Sequence, residues 1–247
     1  MKGVLVVEDV AFQREYLRHT VAVCFPEHQP ILEAVDGMQA VEVALRHRPL
    51  LIIMDIQLPV LNGIKAAQTI WTESPLTRIL FWSQFKDEAY LRELRKIVPG
   101  ETVYGYMLKD SSEHNLTQAM RAILEDEQCW IDRNVRGVQS RVENSHTGLT
   151  DVEYEALIDI SLGLTDKAIA RRRYLSERGV QNRLRELYTK LEVDNHQIQH
   201  EDWGFVFNPR SRAKFIALSR GLINAELLDR ENEEFKKWLK MEVGLEI

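Results

Sequence analysis

The chain has 247 residues, 45% of them hydrophobic and 28% charged, with a formal net charge of −6. That length suggests about two domains, the composition is that of a soluble globular protein, and the acidic balance argues against a protein that coats nucleic acid indiscriminately. No apolar run approaches the ~20 residues of a membrane helix, and Glu8 and Asp9 come too early for a signal peptide, so a cytoplasmic protein with no membrane partner is expected, with Cys24 and Cys129 as plain packing thiols.

In chain order, five short runs read as buried strands: Val4–Val7, Ile31–Val35, Leu50–Met54, Ile79–Trp82 and Val103–Leu108. Segments of helical period separate them, such as Met38 to Arg46 and Ala89 to Val98. Strands alternating with helices predict βαβ units, hence an α/β doubly wound, five-stranded parallel sheet. Ligands of such sheets bind beyond the carboxyl ends of the strands.

Those ends carry chemistry. The first strand runs into Glu8-Asp9, the third into Asp55, the fourth into Ser83 and the fifth into Lys109. An ionised group closing an apolar run is costly unless it is paired, and Lys109 or a cation can pair with these acids. Carboxylates without His or Cys suit Mg²⁺. A lysine and a hydroxyl suit a tetrahedral anion, and the combination suits phosphoryl transfer with a carboxylate as nucleophile. Any one of these residues alone reads as a helix cap or a solvated charge; five at matching ends do not.

Residues 3 to about 124 resemble the receiver domain of a bacterial two-component response regulator, a flavodoxin-like fold. The resemblance implies that Asp55 in "MDIQLPVLNG" is the phosphoacceptor, that Glu8 and Asp9 in "VVED" organise Mg²⁺ with Asp55, and that the backbone carbonyl of Gln57 completes the metal contacts. It makes Ser83 in "LFWSQ", Tyr106 in "GYMLKD" and Lys109 the switch residues, and it fits Pro59 and Gly63 to the loop after the acceptor. Gln84, followed by Phe85, departs from the small residue usual after the switch hydroxyl, which bears on water access to the phosphoryl group. A sensor histidine kinase is the implied phosphodonor, and dimerisation on activation is the implied response.

Periodicity fades over residues 125–147, which read as a linker after a receiver domain at 1–124. It resumes with Thr150 and Glu153 as a capping box, Gly163 as a stop, Thr165 opening a second helix and Ser176 a third. Val180, Leu184, Leu187 and Leu191 line one face of the third helix. Residues 167 to 190 hold eight Lys/Arg (Lys167, Arg171, Arg172, Arg173, Arg178, Arg183, Arg185, Lys190) against two acids, Glu177 and Glu186. A tight turn before a basic helix outlines an all-α helix-turn-helix.

The stretches "LTDVEYEAL", "GLTDKAIARRRYLSERGVQNRLRELYTKLEV" and "RAKFIALSRGLI" resemble the LuxR-type DNA-binding domain of the NarL/FixJ class, here residues 148–223. That resemblance implies base contacts to double-stranded DNA from Gln181, Asn182 and Arg185, and phosphate contacts from Arg183 and Lys190. Gly179 stands where Thr is usual, an atypical insertion occupies about 196–209, and an amphipathic C-terminal helix follows at 224–247. Its stripe of Leu228, Phe235, Trp238 and Leu239 is expected to pack on its own domain. The function implied is a phosphorylation-dependent transcriptional response regulator, not a free-standing enzyme. The alternative is a signalling interaction protein whose degenerate helix-turn-helix and tail bind a protein partner.

Overall fold

The computed structural model describes residues 3–143, 148–193, 207–242 and 244. The chain divides into two compact units, Met1–Lys86 with Arg92–Gly137 and Asp87–Leu91 with Val138–Ile247.

In the first unit a parallel sheet has the order β2-β1-β3-β4-β5-β6. Its strands are β1 (Val4–Val7), β2 (Ile31–Ala34), β3 (Leu51–Met54), β4 (Arg78–Ser83), β5 (Tyr104–Leu108) and β6 (Trp130–Ile131). The central strands β1 and β3 are buried along their whole length, VLVV and LIIM, because helices cover both faces. The connecting helices are α1 (Ala11–Cys24), α2 (Gly37–His47), α3 (Gly63–Glu73), α4 (Glu88–Ile97) and α5 (Glu113–Leu124). Leu17, Val21 and Phe25 from α1 and its end join Leu116, Met120 and Ile123 of α5 over one face. Each fully buried side chain of this size contributes roughly 1.5–3 kcal/mol. Side-chain caps start three helices: Asp36 accepts from the Gln39 N–H at 2.8 Å, Asn62 from Lys65 at 2.9 Å and Ser112 from Asn115 at 3.3 Å. Caps of this kind contribute about 1 kcal/mol each.

Six strands stand where the sequence predicts five. The sixth, β6, lies inside residues 125–147, the interval expected as a linker, and pairs parallel to β5 with Gly105 opposite Trp130 and Tyr106 opposite Ile131. Helix α6 (Arg133–Glu143) follows, capped by Asp132, whose Oδ1 accepts from the Asn134 N–H at 2.8 Å. Cys129 is exposed, not packed, while Cys24 is half-buried beside Thr117.

The second unit is helical. Its helices are α7 (Asp151–Ser161), α8 (Asp166–Arg172), α9 (Glu177–Lys190), α10 (Pro209–Ser219) and α11 (Ala225–Glu242). The capping box forms as the sequence predicts: Glu153 N–H donates to Thr150 Oγ1 at 3.3 Å, and Thr150 N–H to Glu153 Oε2 at 2.7 Å. Val180, Leu184, Leu187 and Leu191 enter the core with Leu157 and Ile169, and Leu227, Leu228 and Phe235 of the last helix pack on it. The insertion, with Trp203 and Phe205, lies almost wholly outside the described residues.

Candidate functional site: an acidic pocket at the strand ends

Asp55 follows β3 directly and is 6% exposed. Its backbone N–H donates to the Val7 carbonyl at 3.0 Å, continuing the β1–β3 pairing by one residue, and its Oδ1 accepts from the Ile56 and Gln57 amides at 2.7 and 3.4 Å. The loop folds back on Asp55, since Gly63 N–H reaches the Ile56 carbonyl at 2.8 Å. A Cβ on Gly63 would collide with the Asp55 carbonyl oxygen, so this close approach requires glycine.

Glu8 emerges from β1 fully buried, and Lys109 emerges from β5. The Lys109 ammonium donates to Glu8 Oε2 at 2.7 Å, Asp55 Oδ2 at 2.9 Å and Gln13 Oε1 at 2.7 Å. It also lies 5.0 Å from the centroid of the Trp82 ring. Asp9 is exposed, yet carboxylate oxygens of Glu8, Asp9 and Asp55 all come within 4.8 Å of one another.

Burial pushes the Glu8 and Asp55 carboxyls above the usual range, against the opposing pull of their Lys109 hydrogen bonds; the Asp55 charge pushes Glu8 up further. One ammonium thus serves two buried acids with a third beside them. That excess of negative charge and the all-oxygen donor set fit a hard divalent cation.

Ser83, at the end of β4, is fully buried, and its Oγ accepts from the Phe85 N–H at 3.2 Å. Tyr106 of β5 is also fully buried, its ring 6.5 Å from Phe81 and its hydroxyl donating to the Phe85 carbonyl at 2.7 Å. The tyrosine therefore occupies the inward position, anchored at its hydroxyl. Ser83, Tyr106 and Lys109 join one stretch of chain, because Lys109 N–H donates to the Ser83 carbonyl at 2.8 Å.

The second set of predicted residues is more dispersed. On α9, Gln181, Asn182 and Arg185 are exposed and Arg183 is half-buried. Arg185 donates to Asn182 Oδ1 at 3.2 Å and Gln181 to Asp166 Oδ2 at 3.4 Å. Lys190 turns inward instead, donating to Glu153 Oε2 at 2.8 Å and the Gly148 carbonyl at 3.1 Å. Arg172 and Arg173 converge on the fully buried Asp159 at 2.7 and 2.8 Å. Three cations of the basic segment thus serve the interior of the helical unit.

Sequence reading missed Gln13 and Trp82 beside Lys109. The signal for Gln13 was available: it stands in the first turn of α1, four residues past Asp9. Trp82 precedes Ser83 in a strand whose pattern announces only burial.

The response regulator receiver domain family matches residues 4–121. The chain is 28% identical over 207 residues to the transcriptional regulatory protein LnrK of Bacillus subtilis (strain 168), covering 78% of this chain and 92% of that protein. It is 30% identical over 172 residues to YxjL of the same organism, an uncharacterized transcriptional regulatory protein, covering 66% and 77% of the two. A crystal form of the Salmonella typhimurium RcsB response regulator, described with its conformational dynamism for DNA interaction, shares the fold with a TM-score of 0.57 at 16% identity, over 81% of this chain and 94% of that one.

Proposed function

The chain belongs to the response regulators, and on that premise we propose that Asp55 accepts a phosphoryl group from a sensor histidine kinase and that the helical unit binds double-stranded DNA under its control, in the cytoplasm and as a dimer when modified. The observation that carries this reading is the triple clasp of Lys109 on Glu8, Asp55 and Gln13 with Asp9 alongside.

In the transfer, an Asp55 carboxylate oxygen attacks the phosphorus of a phosphohistidine. The P–N bond breaks, and its electron pair stays on the imidazole nitrogen, which takes up a proton. The Asp55 acyl phosphate adds charge and three acceptor oxygens. The Lys109 ammonium, held on Asp55 before the reaction, donates to one of them, and the Ser83 hydroxyl moves to another. Glu8, Asp9, Asp55 and the Gln57 carbonyl would hold Mg²⁺, which when bound neutralises charge on the phosphoryl oxygens. Drawing Ser83 toward the phosphate removes its acceptor from the Phe85 amide, and the Phe85 carbonyl is the anchor of Tyr106. Modification of Asp55 thereby bears on a tyrosine through one loop, a local charge event biasing a two-state element.

For the output, the exposed Gln181, Asn182 and Arg185 support base reading by α9, and LnrK and YxjL bear names of transcriptional regulators. The internal pairing of Arg172, Arg173 and Lys190 favours a second reading, a protein partner in place of an operator, because it leaves fewer cations for phosphates.

The test has two parts on the full chain. A small phosphodonor with Mg²⁺ should add one phosphate, and Asp55→Asn should abolish the addition; undiminished uptake would falsify the acceptor assignment. A selection from random duplexes, with and without phosphodonor, should return a consensus sequence. Salt-sensitive retention without a consensus would favour the protein partner.

A further inference from the structure

We infer that Gln13 is a positioning residue for phosphoryl transfer: from the first turn of α1 it holds the Lys109 ammonium on its line to Asp55. The inference rests on the proposed reading of Asp55 as acceptor.

An ammonium has three protons and no acceptor capacity. In this pocket all three are directed, to Glu8 Oε2 at 2.7 Å, Gln13 Oε1 at 2.7 Å and Asp55 Oδ2 at 2.9 Å. Because lysine only donates, the atom of Gln13 that faces it is the amide oxygen. The three partners differ in what the reaction does to them. Asp55 becomes an acyl phosphate, a mixed anhydride in which one carboxyl oxygen bridges to phosphorus and the other is left as a neutral carbonyl. Glu8 is a donor for the cation that the pocket fits. Gln13 is neutral and takes part in neither change, so its bond to Lys109 persists through the transfer. The proton that pointed at Asp55 Oδ2 is then free to turn to a phosphoryl oxygen while the amide fixes the nitrogen.

A neutral acceptor also suits the electrostatics. The pocket already holds more acid than Lys109 balances, and burial raises both Glu8 and Asp55. A carboxylate at position 13 would add to that excess and repel the incoming phosphoryl group. An apolar side chain would leave one ammonium proton without an acceptor and the long lysine stem less restrained. The same helix supports the arrangement a second way. Tyr16, one turn past Gln13, stacks on Trp82 at 6.0 Å between centroids, and the Trp82 ring is the face over which the ammonium lies at 5.0 Å. Helix α1 therefore bounds Lys109 by an amide and by an aromatic wall. Preorganised donors of this kind act by sparing reorganisation during the step.

The experiment measures phosphate uptake from a small phosphodonor across a Mg²⁺ titration, on the full chain. Gln13→Met, which keeps the length and removes the acceptor, should lower the maximal uptake rate about tenfold, with half-saturation by Mg²⁺ unchanged. Gln13→Glu should instead shift the Mg²⁺ half-saturation, because it adds charge next to the donor set. In a double-mutant cycle, Gln13→Met should have no further effect once Lys109→Ala is present. A structural role for Gln13 predicts additive losses instead. The wild-type protein should also show a slowly exchanging Lys109 ammonium signal by ¹⁵N NMR, lost in Gln13→Met. An unchanged uptake rate in Gln13→Met, or an additive cycle, overturns the inference while leaving Asp55 as acceptor. Uptake that survives Asp55→Asn overturns the reading beneath it.

Discussion

The two units bury acids in opposite ratios to their cations. At the strand ends, Glu8 and Asp55 share the single Lys109, with Asp9 near them. In the helical unit the fully buried Asp159 has two arginines, Arg172 and Arg173, which extend the pairing to Glu231 at 3.6 Å and Glu155 at 3.3 Å. Glu153 has Lys190 and the Thr150 amide, and although burial alone would raise its carboxyl, those hydrogen bonds bring it below the usual range. Glu8 and Asp55 move the other way. A buried acid with partners to spare holds a fold together; a buried acid short of partners marks a place where charge is meant to arrive.

The comparison breaks first at Asp159. If its role is structural, Asp159→Ala should cost roughly 3–5 kcal/mol by leaving two arginines without their buried partner. Urea denaturation measures this, and a loss below about 1 kcal/mol would mean that water compensates the pair. Next comes the surface that faces outward. Arg185→Ala should weaken binding to a selected DNA site by ~1–3 kcal/mol and relax its sequence preference. Equal weakening on all sequences would place Arg185 on phosphate.

Lys190 sharpens the contrast, since the sequence assigns it to DNA and the geometry to Glu153. Lys190→Ala should lower stability by about 1–2 kcal/mol and leave the salt dependence of DNA binding unchanged. Arg183→Ala should do the reverse, flattening the salt slope with little change in stability. A flattened slope in Lys190→Ala would return that lysine to the interface.

The smallest effect follows from the opposite pKa directions. With Glu8 and Asp55 raised, the folded chain keeps protons that the unfolded chain has released. Their contribution to stability is present below the ordinary carboxylate range and is lost as pH rises through the raised values. Glu153, being lowered, contributes above the ordinary range and loses that contribution as pH falls through its own value. Added Mg²⁺ should therefore raise the melting temperature when the pH lies above the raised carboxyl values, and progressively less as the pH falls through them and protons compete for the same oxygens. A shift independent of pH would remove the argument from excess charge.

The site was more legible in the sequence than the helical surface, for a geometric reason. Parallel strands bring their carboxyl ends to one edge, so Glu8, Asp55, Ser83 and Lys109 could be placed together by reading where each apolar run stops. A helix spreads its charges around an axis, and the count of cations over residues 167–190 does not say which of them face inward. Arg172, Arg173 and Lys190 find acids at sequence separations of 13, 14 and 37 residues, which no local pattern reveals. Capping was readable at Thr150, Thr165 and Ser176 because side chain and recipient amide are three residues apart. β6 was not, since two residues, Trp130 and Ile131, have no period to detect.

That short strand changes where the first unit can be cut. β6 and the Asp132 N–H, which donates to the Tyr106 carbonyl at 2.8 Å, cover the outer side of β5 at Gly105 and Tyr106. A chain truncated after Leu124 would turn β5 into an edge and present its backbone groups to any neighbouring strand, a template for association between copies. Truncation after Gly137 keeps that row paired and keeps the Asp132 carboxylate on Ser111, one turn of chain beyond Lys109. The first unit therefore ends at Gly137, thirteen residues later than Leu124, where the last helix of the sheet would set its boundary.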